Sequence, residues 1–155
     1  MKVRILYMGK TAESDLGSQI KKYTSRISRY CELTEEVIPD LKKQPGTIEL
    51  IAKKEGQLIM TKINAGDYIV LLHVKGKQLS SESFAAQLNK WMVSGKSKIT
   101  FVIGGAYGFS SEIINRGDYL LSLSTMTFSH QLIRLIFAEQ LYRAFTILRN
   151  EPYHH

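Results

Sequence analysis

Cysteine is almost absent from this 155-residue chain, which carries only Cys31. A lone thiol makes no intrachain disulfide and no cysteine-cluster zinc site. Proline is scarce, with 3 residues, and the 11 glycines follow no collagen-like or low-complexity pattern. Long apolar runs are missing. Tyr68-Ile69-Val70-Leu71-Leu72 is typical, far short of the roughly 20 residues a membrane helix needs. Met1-Lys2-Val3-Arg4 runs straight into a strand-like pattern with no signal-peptide cleavage site, so a cytoplasmic protein without a membrane partner is expected. Residues 99–155 contain no lysine at all.

What is present has the composition of a folded globule. At 44% hydrophobic and 23% charged, the chain is not disordered. Its length suits one domain spanning residues 1–155, large enough to hold a core without disulfide or metal staples. The net charge of +7 sits entirely in residues 1–98, which hold 17 Lys/Arg against 10 Asp/Glu, while residues 99–155 hold 4 of each. A positive field over the first two-thirds suits a polyanion such as RNA. Basic surface alone does not identify one.

Hydrophobic periodicity predicts strands and helices in alternation. Lys2 to Met8 reads as a strand, and Leu16, Ile20, Tyr23, Ile27 and Tyr30 place a helix from about Ser14. A second strand is expected over Cys31 to Pro39. Pro45-Gly46 then opens a helix carrying Ile48, Ile51, Leu58 and Ile59, with Gly56 weakening its middle. The continuous β-branched run Tyr68 to Leu72 marks a strand covered on both faces. Ser81 to Val93 reads as a helix capped by Ser81, and Lys98 to Ile103 as another buried strand. A short helix over Ser110 to Asn115, a strand over Tyr119 to Leu123 and a helix over Ser129 to Arg149 complete the chain. The expected fold is an α/β sandwich with a mainly parallel sheet. The last helix is apolar nearly all the way round, from Ile133 to Leu148, so either its own core or a second subunit must cover it.

Three segments offer chemistry. Ile103-Gly104-Gly105-Ala106-Tyr107-Gly108 follows a buried strand, a setting for close backbone approach to a ligand or simply for a tight turn. It is neither a Walker loop nor a dinucleotide fingerprint, and Met8-Gly9-Lys10-Thr11 also fails the Walker spacing. Leu121 to His130 joins hydroxyl residues (Ser122, Ser124, Thr125, Thr127) to Leu123, Met126 and Phe128, a mix that can hold a flat heterocycle. The plainer reading makes Thr127 or Ser129 a helix cap and Met126 and Phe128 core. No Gly-x-Ser-x-Gly elbow marks a serine nucleophile. The tail Pro152-Tyr153-His154-His155 offers acid–base groups or a frayed end. Glu139 and Arg143, four apart, form a surface pair or something more. No cluster has metal-ligand spacing, so no metal is expected.

Taken together, Phe101 to Gly108, Leu121-Ser122-Leu123-Ser124 with Met126-Thr127, His130-Gln131-Leu132, Glu139 to Ala144 and the terminal Pro152-Tyr153-His154 resemble the ribosomal RNA large subunit methyltransferase H family. The resemblance spans the chain, with its specific motifs in the last third. It implies the SPOUT fold, an α/β sandwich with a C-terminal trefoil knot that topology rules alone would argue against. It also implies a homodimer that binds S-adenosyl-L-methionine in the knot and methylates N3 of a pseudouridine in 23S rRNA of the assembled ribosome. Carried over by position, Leu72, Gly104 and the loop Leu123, Ser124, Thr125, Met126, Thr127 and Phe128 would hold the cofactor. Tyr153, His154 and Arg143 would meet the target base or a phosphate, with His154 handling the proton. Family members often have Asp after the leucine at 72, where this chain has His73, so an acidic role there is not carried over. The competing expectation is a ribosome-binding α/β domain without catalysis, which would take up no cofactor.

Overall fold

The computed structural model describes residues 1–41 and 46–153. Five strands, β1 (Lys2–Met8), β2 (Glu32–Ile38), β3 (Tyr68–Gln78), β4 (Lys98–Ile103) and β5 (Tyr119–Ser122), form one sheet in the order β2-β1-β4-β3-β5. Every pairing is parallel. The helices α1 (Ser14–Ile27), α2 (Ile48–Lys62), α3 (Ser81–Val93) and α4 (Ser111–Arg116) supply the crossovers, and α5 (Leu132–Leu148) follows the last strand.

Alternation along each strand divides the core in two. Val3, Ile5, Tyr7, Ile99, Phe101 and Ile103 face one side, where α1, α3 and α5 cover them with Ile27, Phe84, Leu88, Phe137 and Leu141. Leu6, Met8, Ile69, Leu71 and Val102 face the other, under Ile59 of α2 and Ile113 of α4. Both faces are dry, which is why β3 and β4 read as continuous apolar runs.

The elements keep their expected places with local revisions. The cap of α3 is Ser80, whose Oγ accepts from Ser83 N at 3.1 Å, rather than Ser81. α5 begins at Leu132, after Ser129 has capped its first turn by accepting from Leu132 N at 3.1 Å. The expected opening of α2 at Pro45 lies outside the described residues, and Thr47 caps that helix. Gly56 is no weakness there. A Cβ on it would stand 2.4 Å from Ser110 Oγ, so its absence lets α2 close onto α4.

β3 departs most from expectation, running six residues beyond Leu72. Its register against β5 slips between Leu72 and Lys77, so residues 73–76 bulge out of the ladder before Lys77 and Gln78 pair again. Such bulges re-aim side chains. His73, expected at a strand end, sits in this one.

Candidate active site

The carboxyl ends of β3, β4 and β5 open into a cavity of about 530 Å³. Ligands in open α/β sheets characteristically bind at such strand ends. Three segments build its wall: the β3 bulge with Leu72, His73 and Val74, the glycine turn after β4, and the loop from Leu123 to His130.

Each segment has a physical reason for its shape. Gly108 is the only residue of the glycine turn in the left-handed region, at φ +75°. Gly104 and Gly105 instead sit in tight surroundings. A Cβ on Gly104 would press on the Phe109 ring at 3.1 Å, and one on Gly105 would meet the Glu55 carboxylate at 3.0 Å. In the third segment Ser122 Oγ donates to Ser124 O at 3.0 Å, and Ser124 Oγ accepts from Met126 N at 2.9 Å. These hydroxyls fold the loop, leaving its apolar side chains at the rim. Met126 is 72% exposed and Phe128 39% exposed. The core reading of both is therefore overturned, and such exposure suits a ligand or partner.

Leu72, Gly104, Leu123, Ser124, Met126, Thr127 and Phe128 all line the cavity; Thr125 does not. His73 accepts from Lys75 N through Nδ1 at 3.2 Å and stacks on Phe109. Burial, then Lys75, depresses its pKa, so it is a neutral wall residue. Among the described residues no group of three or more His, Cys, Asp or Glu is placed to hold a metal ion.

The tail residues gather elsewhere. Glu139 Oε1 accepts from Arg143 Nε at 2.9 Å and from its NH2 nitrogen at 2.6 Å, and Tyr153 Oη lies 3.3 Å from the same oxygen. The Arg143 guanidinium also covers the Tyr153 ring, and that ring packs edge-on against Tyr142. Glu139 and Arg143 are thus more than a surface pair, and the tail is tied down as far as Tyr153. Burial, with Tyr23 and Glu139, raises the Tyr153 hydroxyl well above its ordinary value. The hydrogen bonds that Arg143 donates to Glu139 likewise raise its pKa. His154 lies outside the described residues. None of Glu139, Arg143 and Tyr153 lines the cavity. Arg143 is ten residues along α5 from the cavity residue Ile133, about 15 Å of helix.

Two residues escaped the sequence reading. Arg134 is fully buried and donates to Met8 O at 2.6 Å, Gly9 O at 2.9 Å and Thr11 Oγ1 at 3.2 Å. With Gln131, which bonds Lys10 O and Ala12 N, it ties α5 to the Gly9-Lys10-Thr11 turn, giving that run a structural role. Glu55 is the other. No sequence signal marks either as more than an ordinary helical charge.

Comparison with known proteins agrees with this architecture. A family model described as predicted SPOUT methyltransferase matches residues 1–154. Two solved structures share the fold: a probable methylase family protein from Haemophilus influenzae (TM-score 0.58, 13% identity, 99% of this chain and 70% of that one) and a probable methyltransferase from Bordetella pertussis (TM-score 0.56, 12% identity, 92% and 95%). The molecule is a SPOUT-class α/β protein. Proteins named ribosomal RNA large subunit methyltransferase H match along their whole length. The one from Christiangramia forsetii is 51% identical over 100% of this chain and 99% of its own, and the one from Halothermothrix orenii 41% identical over 99% of each. The chain belongs to the ribosomal RNA large subunit methyltransferase H family.

Proposed function

We propose that this rRNA methyltransferase transfers a methyl group from S-adenosyl-L-methionine to N3 of a pseudouridine in 23S rRNA, acting in the cytoplasm as a homodimer on the assembled ribosome. Methylation of ribosomal RNA comes with the family; the donor, target atom and assembly are what the resemblance to that family implies. The observation that carries the reading is the 530 Å³ cavity, where Gly104 leaves the backbone bare and Met126 and Phe128 stand exposed at the rim. The residues present suit an adenosine: a flat ring between apolar walls, met by loop backbone rather than by charge. The trefoil knot implied for the C-terminal segment belongs to the same reading.

When bound, S-adenosyl-L-methionine supplies an electrophilic sulfonium methyl. The protein's remaining work is to hold the nucleophile in line, exclude water and manage the N3 proton. Tyr153 stays protonated at neutral pH, so it donates a hydrogen bond rather than taking the proton. His154 is the residue assigned to that proton. Arg143, oriented by Glu139, offers its outer N–H groups to a phosphate or base oxygen.

Glu139, Arg143 and Tyr153 stand apart from the cavity within one chain, and a second copy is what would unite them. Leu135, Ile136, Ile147 and Leu148 remain only partly buried on α5, an apolar surface suited to a partner. Lys21, Lys22 and Arg29 are exposed along and just beyond α1, the helix whose Tyr23 meets Tyr153, and suit the RNA backbone. A domain this small reads little sequence, so specificity comes from the shape of the ribosome.

The test is mass spectrometry of rRNA from joined ribosomal subunits incubated with protein and isotope-labelled donor. One methyl on N3 of a single pseudouridine is expected, with far slower transfer to naked rRNA. Deleting residues 152–155 should abolish transfer while donor binding persists. Methylation at a different atom, or full activity of the truncated protein, overturns the reading.

A further inference from the structure

One buried ionisable group near the cavity has no role in the reading above. Glu55, in mid-α2, is 8% exposed, and its Oε2 makes no hydrogen bond. A carboxylate oxygen held out of water without a hydrogen bond is unfavourable until something pairs with it. Burial and the charge of Asp40 together raise its pKa, the response of a carboxylate lacking a counter-charge.

Its position is informative. Both oxygens would stand 3.0–3.1 Å from a Cβ on Gly105, so the carboxylate rests directly against the glycine turn. It lines a second cavity of about 420 Å³, with Met8, Asp40, Tyr107 and His130 among the walls. Gly105, Ala106 and His130 belong to both cavities, so the two adjoin across that turn. A side chain at 105 would come between the carboxylate and the turn. The first cavity suits a neutral heterocycle; the second carries two carboxylates, Asp40 and Glu55, with Lys54 also in its wall.

We infer that Glu55 receives the amino-acid end of the methyl donor, its carboxylate accepting a hydrogen bond from the donor's α-ammonium beside Gly105. The inference rests on the first cavity being the donor site. It makes Glu55 a specificity residue that separates the full donor from an adenosine thioether lacking the amino acid. Such a bond satisfies the orphaned oxygen.

Titration calorimetry on the intact protein and on Glu55→Gln tests this with two ligands, S-adenosylhomocysteine and 5′-methylthioadenosine. They share the adenosine and thioether, and only the first carries the ammonium. Glu55→Gln should weaken S-adenosylhomocysteine about tenfold or more, as expected for a charge-assisted bond, and leave methylthioadenosine within about twofold. Without ligand, the variant should melt at the same temperature or higher, because an unpaired buried charge has been removed. Equal weakening of both ligands, or of neither, overturns the inference while the donor-site reading stands. If the unaltered protein binds neither thioether, both fall together.

Discussion

Asp67 shows how a single side chain divides structural from functional charge. It precedes β3 at the amino ends of the strands, opposite the cavity, with its side chain 1% exposed. Lys98 Nζ lies 2.8 Å and Arg4 NH1 3.7 Å from its oxygens, and Thr100 Oγ1 donates to it at 3.0 Å. Burial alone would raise its carboxyl, but Lys98 and Thr100 outweigh that and hold it below the ordinary value. A carboxylate lowered on folding stabilises fully above its unfolded pKa of about 4 and loses that contribution as pH falls through the folded value. Asp67→Asn should therefore cost about 2 kcal/mol at neutral pH and flatten the acid limb of a urea-denaturation series. An unchanged acid limb would show that the pair contributes nothing. Arg134 has the same structural character on the other side of the sheet. Both were invisible as special in the sequence, because a charge in an amphipathic pattern looks solvated until packing buries it.

At the scale of elements, β3 carries the lesson. The apolar stretch Tyr68 to Leu72 announced a buried strand, whereas Lys75-Gly76-Lys77-Gln78 has the composition of a turn. Pairing with β5 extends the strand through it, and the intervening bulge delivers His73 and Val74 to the cavity. Gly76 permits this, since a Cβ there would fall 2.6 Å from the backbone carbons of Leu120 and Leu121. Gly76→Val should lower stability by about 3 kcal/mol and weaken S-adenosylhomocysteine binding, because the clash is with backbone that cannot rotate away. Calorimetry and thermal melting read both effects, and wild-type behaviour in both would remove Gly76 from the account. The helices were easier to read. Periodicity locates α1 and α3 to within a few residues, since each buries a defined stripe, and α5 stands out as a helix apolar nearly all the way round.

At the scale of the molecule, cavity and tail chemistry occupy separate places on one chain. If two copies share a site, each half can come from a different copy. A protein damaged in the cavity by Gly104→Trp and one lacking residues 152–155 should each be inactive alone. Co-expressed and purified as a mixed dimer, they should recover at least about a quarter of the normal transfer rate on ribosomes, as one intact composite site in two would allow. No recovery in a verified mixed dimer would place the whole reaction within one copy.

The sequence by itself determined the alternating α/β order, the two-sided burial of β3 and β4, and the residues of the glycine turn and the hydroxyl loop, because period and turn chemistry are local properties. The family was also legible there, carried by motifs spread across the last third. Only the tertiary structure decided that the β3 bulge, the turn after β4 and the loop after β5 close around one cavity. It alone left Glu55 Oε2 without a hydrogen bond beside Gly105, buried Arg134, and separated Arg143 and Tyr153 from the cavity loops. Those outcomes depend on contacts between residues far apart in the chain, which no local pattern encodes.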